Sequence, residues 1–549
     1  MAEATPKKSN SRTILDTVDD YLERRSKTLF WVAIILCALF CLLLFDGKMS
    51  FLTDDANYIQ VAYRFVHNGS FPSYQGPVYP VFLSFVIRLF GMNLLVFKFF
   101  SSLFIVGQVF FMYKAFKGYI PNLVLFSVLF ICALNPYILF YGSYTFNEAM
   151  LFFIQALAFY FFTRHIDLLE QDPPLSSIWK SWIVFGLFIF LISVTKNIAI
   201  VAVGSIALFF LIYKKWREAA LTLITFIIFK LPYELMLRLA FKQGTSGQLD
   251  QILHKDFYDP SKGYEDFDGY VSRFFTNTGE YFSYHFYHVL GIRPEIAMTQ
   301  ELMKDPEAFH DAESNILFTI IFAGLVILAT YSLYKRNKYA LLSLFYGLSI
   351  AGTITIAVQT IWDQDRLVLP YIPYILIGIF TGLYIWAQDT KFKFVKPIVV
   401  FLLIFIPLLT IPKLLEKASA NSRALPKYLK GSTTYDYQEP EVNFISMCEW
   451  IGANLPADAK VASGKPSEGF VFAKSDKFQR IGKPASKDSV AKVMQNLKNL
   501  KVGYLLIDRY GAAVYNTFQL IYKKEPQRLN MIHQEGEGED ACYLFEIKY

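Results

Sequence analysis

Eleven apolar runs, each close to the length of a membrane span, constrain the fold of this 549-residue chain more than any other feature. Inside a bilayer the protein must satisfy every backbone N–H and C=O itself, so an apolar run of about 20 residues folds as a helix. The sequence therefore predicts a polytopic α-helical membrane protein of about 11 spans. The predicted spans lie at 29–45, 94–113, 120–141, 146–163, 181–196, 197–213, 218–239, 315–334, 339–358, 367–387 and 394–411.

The distribution of basic residues predicts the topology. The run 77–90 is short for a span and contains Arg88, which is typical of a helix lying in the membrane interface. If this run does not cross, the basic short loops fall on one side, as the positive-inside rule requires, whereas a crossing reverses the bias. Residues 1–27 are then cytoplasmic. The parts predicted to be exoplasmic are the loops 46–93 and 241–313 and the tail 412–549.

Composition excludes some classes of partner. Only 18% of the residues are charged, against about a quarter in soluble proteins, and the net charge of +7 is spread over many short loops. Nucleic-acid binding requires basic residues concentrated on one face, so it has no support here. The low charge and the many Phe, Ile and Lys residues favour a bacterial inner membrane.

The chain is predicted to have a membrane domain at 28–411 and a soluble tail at 412–549. Periodicity in the tail indicates a small α/β domain, in which Cys448 and Cys542 could pair if the compartment is oxidising; spacing alone does not show whether they do. Its predicted helices lie at 442–455 and 486–500, and its predicted strands at 460–462, 502–508 and 542–548.

Two adjacent acids, Asp54 and Asp55, follow directly on the first span. From Asp54 onward the apolar residues recur with helical spacing, so one interpretation is an N-cap and a first-turn acid of an amphipathic surface helix. The other is a general base, since a carboxylate beside a lipid headgroup can take a proton from an attacking hydroxyl. The two interpretations are compatible.

Five further charged residues lie near the predicted exoplasmic ends of spans. Glu148 begins the 146–163 span and is either a first-turn acid or part of a site. The four cations are either snorkelling anchors or a cluster that holds a phosphate, for which Lys and Arg are the natural partners. These cations are Lys98, Lys196, Arg238 and Arg366.

Two side-chain pairs have simpler interpretations. Lys230 and Glu234 are four residues apart on one helix, which predicts an internal ion pair. His285 and His288 have a spacing compatible with zinc, but no third ligand is evident, and the sequence does not indicate a metal site.

Four short stretches resemble, in order, motifs of one membrane family. Residues 53–58 (Thr-Asp-Asp-Ala-Asn-Tyr) are similar to an Asp-Glu/Asp motif in a first exoplasmic loop, and 76–81 resemble the start of its in-plane helix. Residues 97–101 stand where the family has a cation before a helix, and 365–373 resemble its late Arg-Tyr-x-Leu-Pro-x-x-Pro element. The family is that of the GT-C integral-membrane glycosyltransferases, in the branch of aminoarabinose transferases and protein O-mannosyltransferases.

The resemblance implies a GT-C bundle with in-plane exoplasmic helices. The implied activity is an inverting transfer of a sugar from a polyprenyl-phosphate donor to a hydroxyl of a glycan, lipid or protein. It implies Asp54 as the base, Asp55 as an acid that positions the acceptor, Glu148 as a supporting acid, and Arg366 and Lys196 at the donor phosphate. The lipid-linked sugar is a co-substrate, and no other cofactor is implied with certainty.

The sequence departs from the aminoarabinose branch before the in-plane helix, where Gln75 and Gly76 replace an expected lysine. Donor sugar and acceptor therefore stay open. Two other classes of function are alternatives. A transporter or flippase predicts charged mid-membrane helices and internal repeats, and a non-catalytic cell-envelope assembly protein leaves the acids and cations without a role.

Overall fold

The computed structural model describes residues 12–51, 54–73, 75–242, 252–256, 259–296, 313–360, 364–432, 434–485 and 488–549. Thr53 of the acidic motif and residues 243–251, 257–258 and 297–312 of the predicted loop 241–313 lie outside these ranges. The helices that precede the C-terminal domain are Ile14–Arg24, Ser26–Leu43, Asp55–Asn68, Val78–Phe90, Leu94–Phe116, Asn122–Leu134, Pro136–Phe140, Asn147–Leu169, Leu175–Thr195, Val201–Ile212, Trp216–Ala240, Phe267–Glu280, Phe286–Val289, Ile316–Leu333, Lys338–Ala357, Ile372–Asp389, Val395–Phe405 and Ile411–Ser422.

Nine helices in the described ranges are long and apolar enough to cross a membrane, and a bent pair makes a tenth. The pair is Asn122–Leu134 with Pro136–Ser143, bent by 44° where Asn135 caps the second helix through its side chain. The one predicted span that remains, 197–213, corresponds to the shorter apolar helix Asn197–Ile212. At about 1.5 Å per residue this helix is only about 24 Å long, so it falls short of the roughly 30 Å hydrocarbon core.

Burial separates central helices from peripheral ones. Most residues of Asn147–Leu169 and Leu369–Asp389 are buried inside the protein, whereas most of Trp216–Ala240 is exposed on the outside of the bundle. Small residues allow close packing at the centre, since a Cβ at Gly382 would lie 2.4 Å from the Cα of Ala329. The predicted Lys230–Glu234 ion pair is confirmed, with a separation of 2.8 Å.

Two short helices follow the first span and do not have the length of a crossing. Asp55–Asn68 is amphipathic, as predicted, and ends at Gly69, whose φ of +68° is a left-handed conformation that glycine adopts without strain. Val78–Phe90 has 13 residues and is about 20 Å long. The helix Asp55–Asn68 carries the acidic motif at its N-terminus.

The C-terminal domain contains a five-stranded mixed sheet. Its strands are β1 Val461–Ala462, β2 Phe478–Gln479, β3 Tyr504–Ile507, β4 Leu529–Glu535 and β5 Cys542–Ile547; the helices are Leu425–Leu429, Glu439–Asn454, Pro466–Ala473, Val490–Asn499 and Ala512–Lys524. The strand order is β2-β1-β3-β5-β4. Strands β1, β2 and β3 are parallel, and β5 runs antiparallel to both β3 and β4.

The predicted α/β character of the tail is confirmed, although the sequence did not indicate β2, β4 or the helices Pro466–Ala473 and Ala512–Lys524. Residues 486 and 487 of a predicted helix lie outside the described ranges. The last membrane helix continues to Ser422, past the predicted boundary at 412. Cys448 and Cys542 are free thiols buried in one hydrophobic core.

Asp508 gives this domain a predicted dependence on pH. The residue follows β3, and burial raises the pKa of its carboxyl group from 3.8 to about 6. Its Oδ1 accepts a hydrogen bond from the backbone N–H of Tyr510 (2.7 Å), while Oδ2 has no hydrogen-bond partner in the described part of the chain. Because the folded state holds this proton more tightly than the unfolded chain, stability is highest below the unfolded pKa and falls as pH rises towards 6.

Replacement of Asp508 by asparagine removes this titration. We expect the free energy of unfolding of the variant, relative to wild type, to rise by roughly 2–3 kcal/mol between about pH 4 and pH 7. Thermal unfolding of the purified protein in detergent, measured over this range, gives the difference directly. A difference that does not change with pH contradicts the assignment.

Candidate active site

Four charged residues from four separate elements meet at one end of the helix bundle. Asp54 lies at the start of Asp55–Asn68, and Glu148 lies in the first turn of Asn147–Leu169. Lys196 directly follows Leu175–Thr195, and Arg366 lies in a short turn before Leu369–Asp389. Since three of these helices are candidate spans, the cluster lies where the bundle ends, at its boundary with the surface.

Glu148 links the two cations of the cluster. Its Oε1 lies 3.2 Å from Nζ of Lys196 and 3.5 Å from Nε of Arg366. Arg366 also donates from Nη2 to Oδ2 of Asp54 at 2.9 Å, and Lys196 donates to the backbone carbonyl of Arg366 at 3.3 Å. The four groups form one continuous chain of ion pairs, Asp54–Arg366–Glu148–Lys196, with two positive and two negative charges.

The four side chains of this ion-pair chain differ sharply in their exposure to solvent. The side chain of Glu148 is 1% exposed and that of Lys196 13%, whereas Arg366 is 23% and Asp54 35% exposed. Burial by itself lowers the pKa of Arg366, but the carboxylates of Glu148 and Asp54 outweigh this and raise it, so the guanidinium stays charged. Glu148 is thus an internal counter-ion, and Asp54 is the more exposed of the two carboxylates.

The carboxylate of Asp54 turns to Arg366 and not to its own helix. Asp54 occupies the N-cap position, yet its side chain makes no capping hydrogen bond. The simpler sequence interpretation, a structural N-cap, therefore does not account for this side chain. The ring of Phe146 packs 5.4 Å from the Arg366 guanidinium in a cation–π contact, which the sequence did not single out.

Asp55 faces the protein interior. Its side chain is fully buried; Oδ1 accepts hydrogen bonds from the backbone N–H of Thr145 (2.5 Å) and from the Thr145 hydroxyl, and Oδ2 lies 3.4 Å from the backbone N–H of Ser50. The Thr145 hydroxyl also lies 3.0 Å from the Asp55 carbonyl oxygen. Asp55 therefore joins the surface helix to the loop before Glu148.

Thr145→Val tests the hydrogen bonds between Thr145 and Asp55, because valine has nearly the shape of threonine without its hydroxyl. We expect the variant to lose about 1–3 kcal/mol of stability, the usual cost of leaving a buried charged group short of a hydrogen bond. Thr145→Ser keeps the hydroxyl and should remain close to wild type. Thermal unfolding distinguishes the two variants, and equal unfolding temperatures for them would contradict the stabilising role of the Thr145 hydroxyl.

Lys98 and Arg238 are not part of the cluster. Lys98 is fully buried, and its Nζ donates to the backbone carbonyls of Asp46 (2.9 Å) and Lys48 in the first loop. Arg238 is exposed in the last turn of Trp216–Ala240, with no ion pair to Asp54 or Glu148 among the described residues. Their predicted phosphate-binding roles have no geometric support.

A glycine and an asparagine bring the surface helices against Lys196. Gly76 has a φ of +91°, and a Cβ there would lie 2.2 Å from the Thr195 carbonyl oxygen, so no side chain fits. Asn147 donates from Nδ2 to the carbonyls of Gln75 (3.1 Å) and Thr195 (3.2 Å). The close approach explains why glycine stands at position 76, before the helix Val78–Phe90.

His285 supports the turn that carries Arg366. It lies in a single π-helical turn, Tyr281–His285, and its Nδ1 is 2.6 Å from Oδ1 of Asp365. The Nδ1 of His288 instead faces the carbonyl of Arg293 at 3.4 Å. Within the described ranges no three His, Cys, Asp or Glu side chains are grouped as metal ligands.

A cavity of about 390 Å³ lies away from the cluster. It is lined by Leu169 and Glu170 at the far end of the helix that Glu148 begins, together with Lys335 and Tyr213. That helix has 23 residues and is about 35 Å long, so this cavity belongs to the opposite end of the bundle.

The bundle, its surface helices and the appended α/β domain together have the GT-C fold of integral-membrane glycosyltransferases. Neither a family model nor a curated protein matches the sequence. Among solved structures, ArnT from Cupriavidus metallidurans bound to undecaprenyl phosphate is similar with a TM-score of 0.55 and 10% identity, over 95% of this chain and 97% of that chain.

A second similar structure is the archaeal oligosaccharyltransferase AglB from Archaeoglobus fulgidus, in complex with an inhibitory peptide and a dolichol-phosphate. Its TM-score is 0.54 at 13% identity, over 94% of this chain and 74% of that chain. The predicted GT-C fold is thereby confirmed. At such low identity the likeness concerns the fold, and the roles of individual residues stay predictions.

Proposed function

We propose that this protein is an inverting glycosyltransferase, which moves a sugar from a polyprenyl-phosphate donor to a hydroxyl acceptor at the exoplasmic face of a bacterial inner membrane. The observation that carries the proposal is the ion-pair chain Asp54–Arg366–Glu148–Lys196 at the end of the bundle. Similar structures were solved with undecaprenyl phosphate or a dolichol-phosphate bound, which supports a lipid-linked donor.

Asp54 is the proposed base. As the acceptor oxygen attacks the anomeric carbon, its proton passes to the Asp54 carboxylate. The bond between this carbon and the phosphate oxygen breaks on the opposite face of the sugar, and its electron pair leaves with the polyprenyl phosphate. A single displacement of this kind inverts the configuration at the anomeric carbon.

Arg366 and Lys196 are the proposed phosphate ligands. Negative charge grows on the phosphate as the sugar leaves, and preorganised cations at this position stabilise the transition state more than the bound substrate. Glu148 holds both cations, since its Oε1 contacts each of them. Its Oε2 is buried with no hydrogen-bond partner among the described residues, so the charge of Glu148 is directed to the two cations and not to solvent.

The transporter and assembly-protein alternatives have less support. The two charged residues within a span, Lys230 and Glu234, form an ion pair with each other at 2.8 Å. An assembly protein leaves the partly exposed carboxylate of Asp54 beside Arg366 without a role. Neither alternative is favoured by a specific observation in the described residues.

The test is mass spectrometry of the purified protein incubated with a panel of polyprenyl-phosphate sugars and candidate acceptors. Release of free polyprenyl phosphate from one donor establishes the class of reaction and identifies the sugar. Retention of every donor, with and without acceptors, contradicts the proposed function.

A further inference from the structure

The C-terminal domain holds the chain just before Asp54. Phe51 lies three residues upstream, and its side chain, 3% exposed, is buried in the core of the C-terminal domain and not among the membrane helices. Its ring contacts four aromatic rings from three different parts of that domain. The centroid distances are 5.8 Å to Tyr437, 5.4 Å to Phe444, 5.9 Å to Phe472 and 5.5 Å to Tyr510.

The backbone around Phe51 is held as well. Lys465 donates from Nζ to the Phe51 carbonyl, and the Tyr437 hydroxyl accepts from the backbone N–H of Met49 at 2.6 Å. Lys48 forms an ion pair with Asp436 at 2.9 Å. Side-chain burial, hydrogen bonding and charge thus all connect this loop to the C-terminal domain.

Phe51 lies beside the carboxyl ends of the parallel strands β1 and β3 of the domain. The chain leaves β1 towards β2 on one side, whereas after β3 it goes on to the antiparallel strands on the other. Such a divergence opens a crevice at the carboxyl ends of the two strands, where α/β sheets bind their ligands. Lys465 and Tyr510 belong to the loops after β1 and β3, so the Phe51 segment occupies the ligand position.

The same domain also holds the chain after Asp54. Arg64, on the helix Asp55–Asn68, makes a two-pronged contact with Asp476 at 2.7 and 3.2 Å. Gln60, one turn earlier, accepts a hydrogen bond from the hydroxyl of Ser467 at 2.9 Å. The domain therefore fixes both flanks of the acid.

We propose that the C-terminal domain is a positioning part of the transferase, with Phe51 as the anchor that sets the Asp54 carboxylate beside Arg366. The inference rests on the proposed function and goes beyond it, because it assigns the appended domain a role in the reaction. A displacement of about 1 Å of a reacting group can lower a rate roughly 100-fold. Phe51 is a positioning residue, since it acts through Asp54.

Phe51→Ala in the full-length protein tests the anchor. We expect kcat for sugar transfer to fall roughly 10- to 100-fold, with the KM for the lipid-linked donor changed less than about threefold. Phe51→Leu keeps an apolar anchor and should recover kcat to within about fivefold of wild type. In hydrogen exchange, peptides from the helix Asp55–Asn68 should exchange faster in Phe51→Ala than in wild type.

Phe518→Ala is the matched control, because Phe518 packs in the other core of the same domain, against Phe545. It should lower the unfolding temperature without changing kcat or exchange in Asp55–Asn68. Equal kcat losses in both Ala variants, or wild-type kcat and exchange in Phe51→Ala, overturn the anchor. If Phe51→Ala does not fold, Lys465→Met replaces it, because it removes the hydrogen bond to the Phe51 carbonyl and should lower kcat and speed exchange in Asp55–Asn68 in the same direction. A wild type that transfers no sugar refutes the proposed function instead, while the exchange measurement still decides on the anchor.

Discussion

Asp54→Asn is expected to reduce kcat for sugar transfer by roughly 10²- to 10⁴-fold, the usual contribution of a general base. Asparagine keeps the size of the side chain and an oxygen that can accept from Arg366, but it cannot take up the acceptor's proton. The pair it weakens is partly exposed, so stability should change by less than about 1 kcal/mol. Initial rates of polyprenyl phosphate release, with thermal unfolding alongside, measure both quantities.

Asp540→Asn is the matched control for this variant. Asp540 also faces an arginine, Arg509, at 3.5 Å, but it lies in the C-terminal domain far along the chain from the cluster. Its replacement should leave kcat unchanged. If Asp54→Asn retains wild-type turnover, Asp54 is not the base; if it fails to fold, the residue's main contribution is structural.

Arg366→Ala is expected to weaken donor binding roughly 10- to 100-fold, which corresponds to the loss of one or two charge-assisted hydrogen bonds. The cluster holds two cations and two carboxylates, so this change leaves it with a net charge of −1, which repels a phosphate. The acceptor KM should change less than about threefold. Binding of a polyprenyl phosphate, followed by fluorescence or calorimetry, measures the effect apart from catalysis.

Arg366→Lys separates charge from geometry. Lysine retains the positive charge but cannot bridge Asp54 and Glu148 with a planar fork, so it should restore only part of the donor affinity. Full restoration would show that charge alone suffices. Unchanged donor affinity in Arg366→Ala contradicts the phosphate role and leaves Arg366 as a structural partner of the two acids.

The prediction from sequence was most accurate for features set by local chemistry. Ten of the eleven predicted spans, the amphipathic helix after Asp54 and the Lys230–Glu234 pair depend on apolar length or on spacing within one helix, and the described residues contain all of them. The predicted run 197–213 is observed as the helix Asn197–Ile212, which begins where predicted but is shorter than the candidate spans.

The cluster itself could not be derived from spacing. The sequence offered four cations near predicted helix ends, and only the packing of the bundle shows that Arg366 and Lys196 meet Glu148 while Lys98 is directed to the first loop. Nor did any local signal distinguish Asp54 from Asp55. Successive side chains on a helix point about 100° apart, so one carboxylate reaches Arg366 and the other is buried against Thr145.

A bundle of membrane helices with a surface acid and an α/β tail could be inferred from the residues, because backbone hydrogen bonding in a bilayer and side-chain periodicity leave few alternatives. The pairing of distant residues could not, since it depends on tertiary packing. Asp54 pairs with a residue 312 positions away, and Phe51 is buried in a domain that begins more than 350 residues later. Such contacts depend on how helices and domains pack as whole bodies, which no local pattern of residues records.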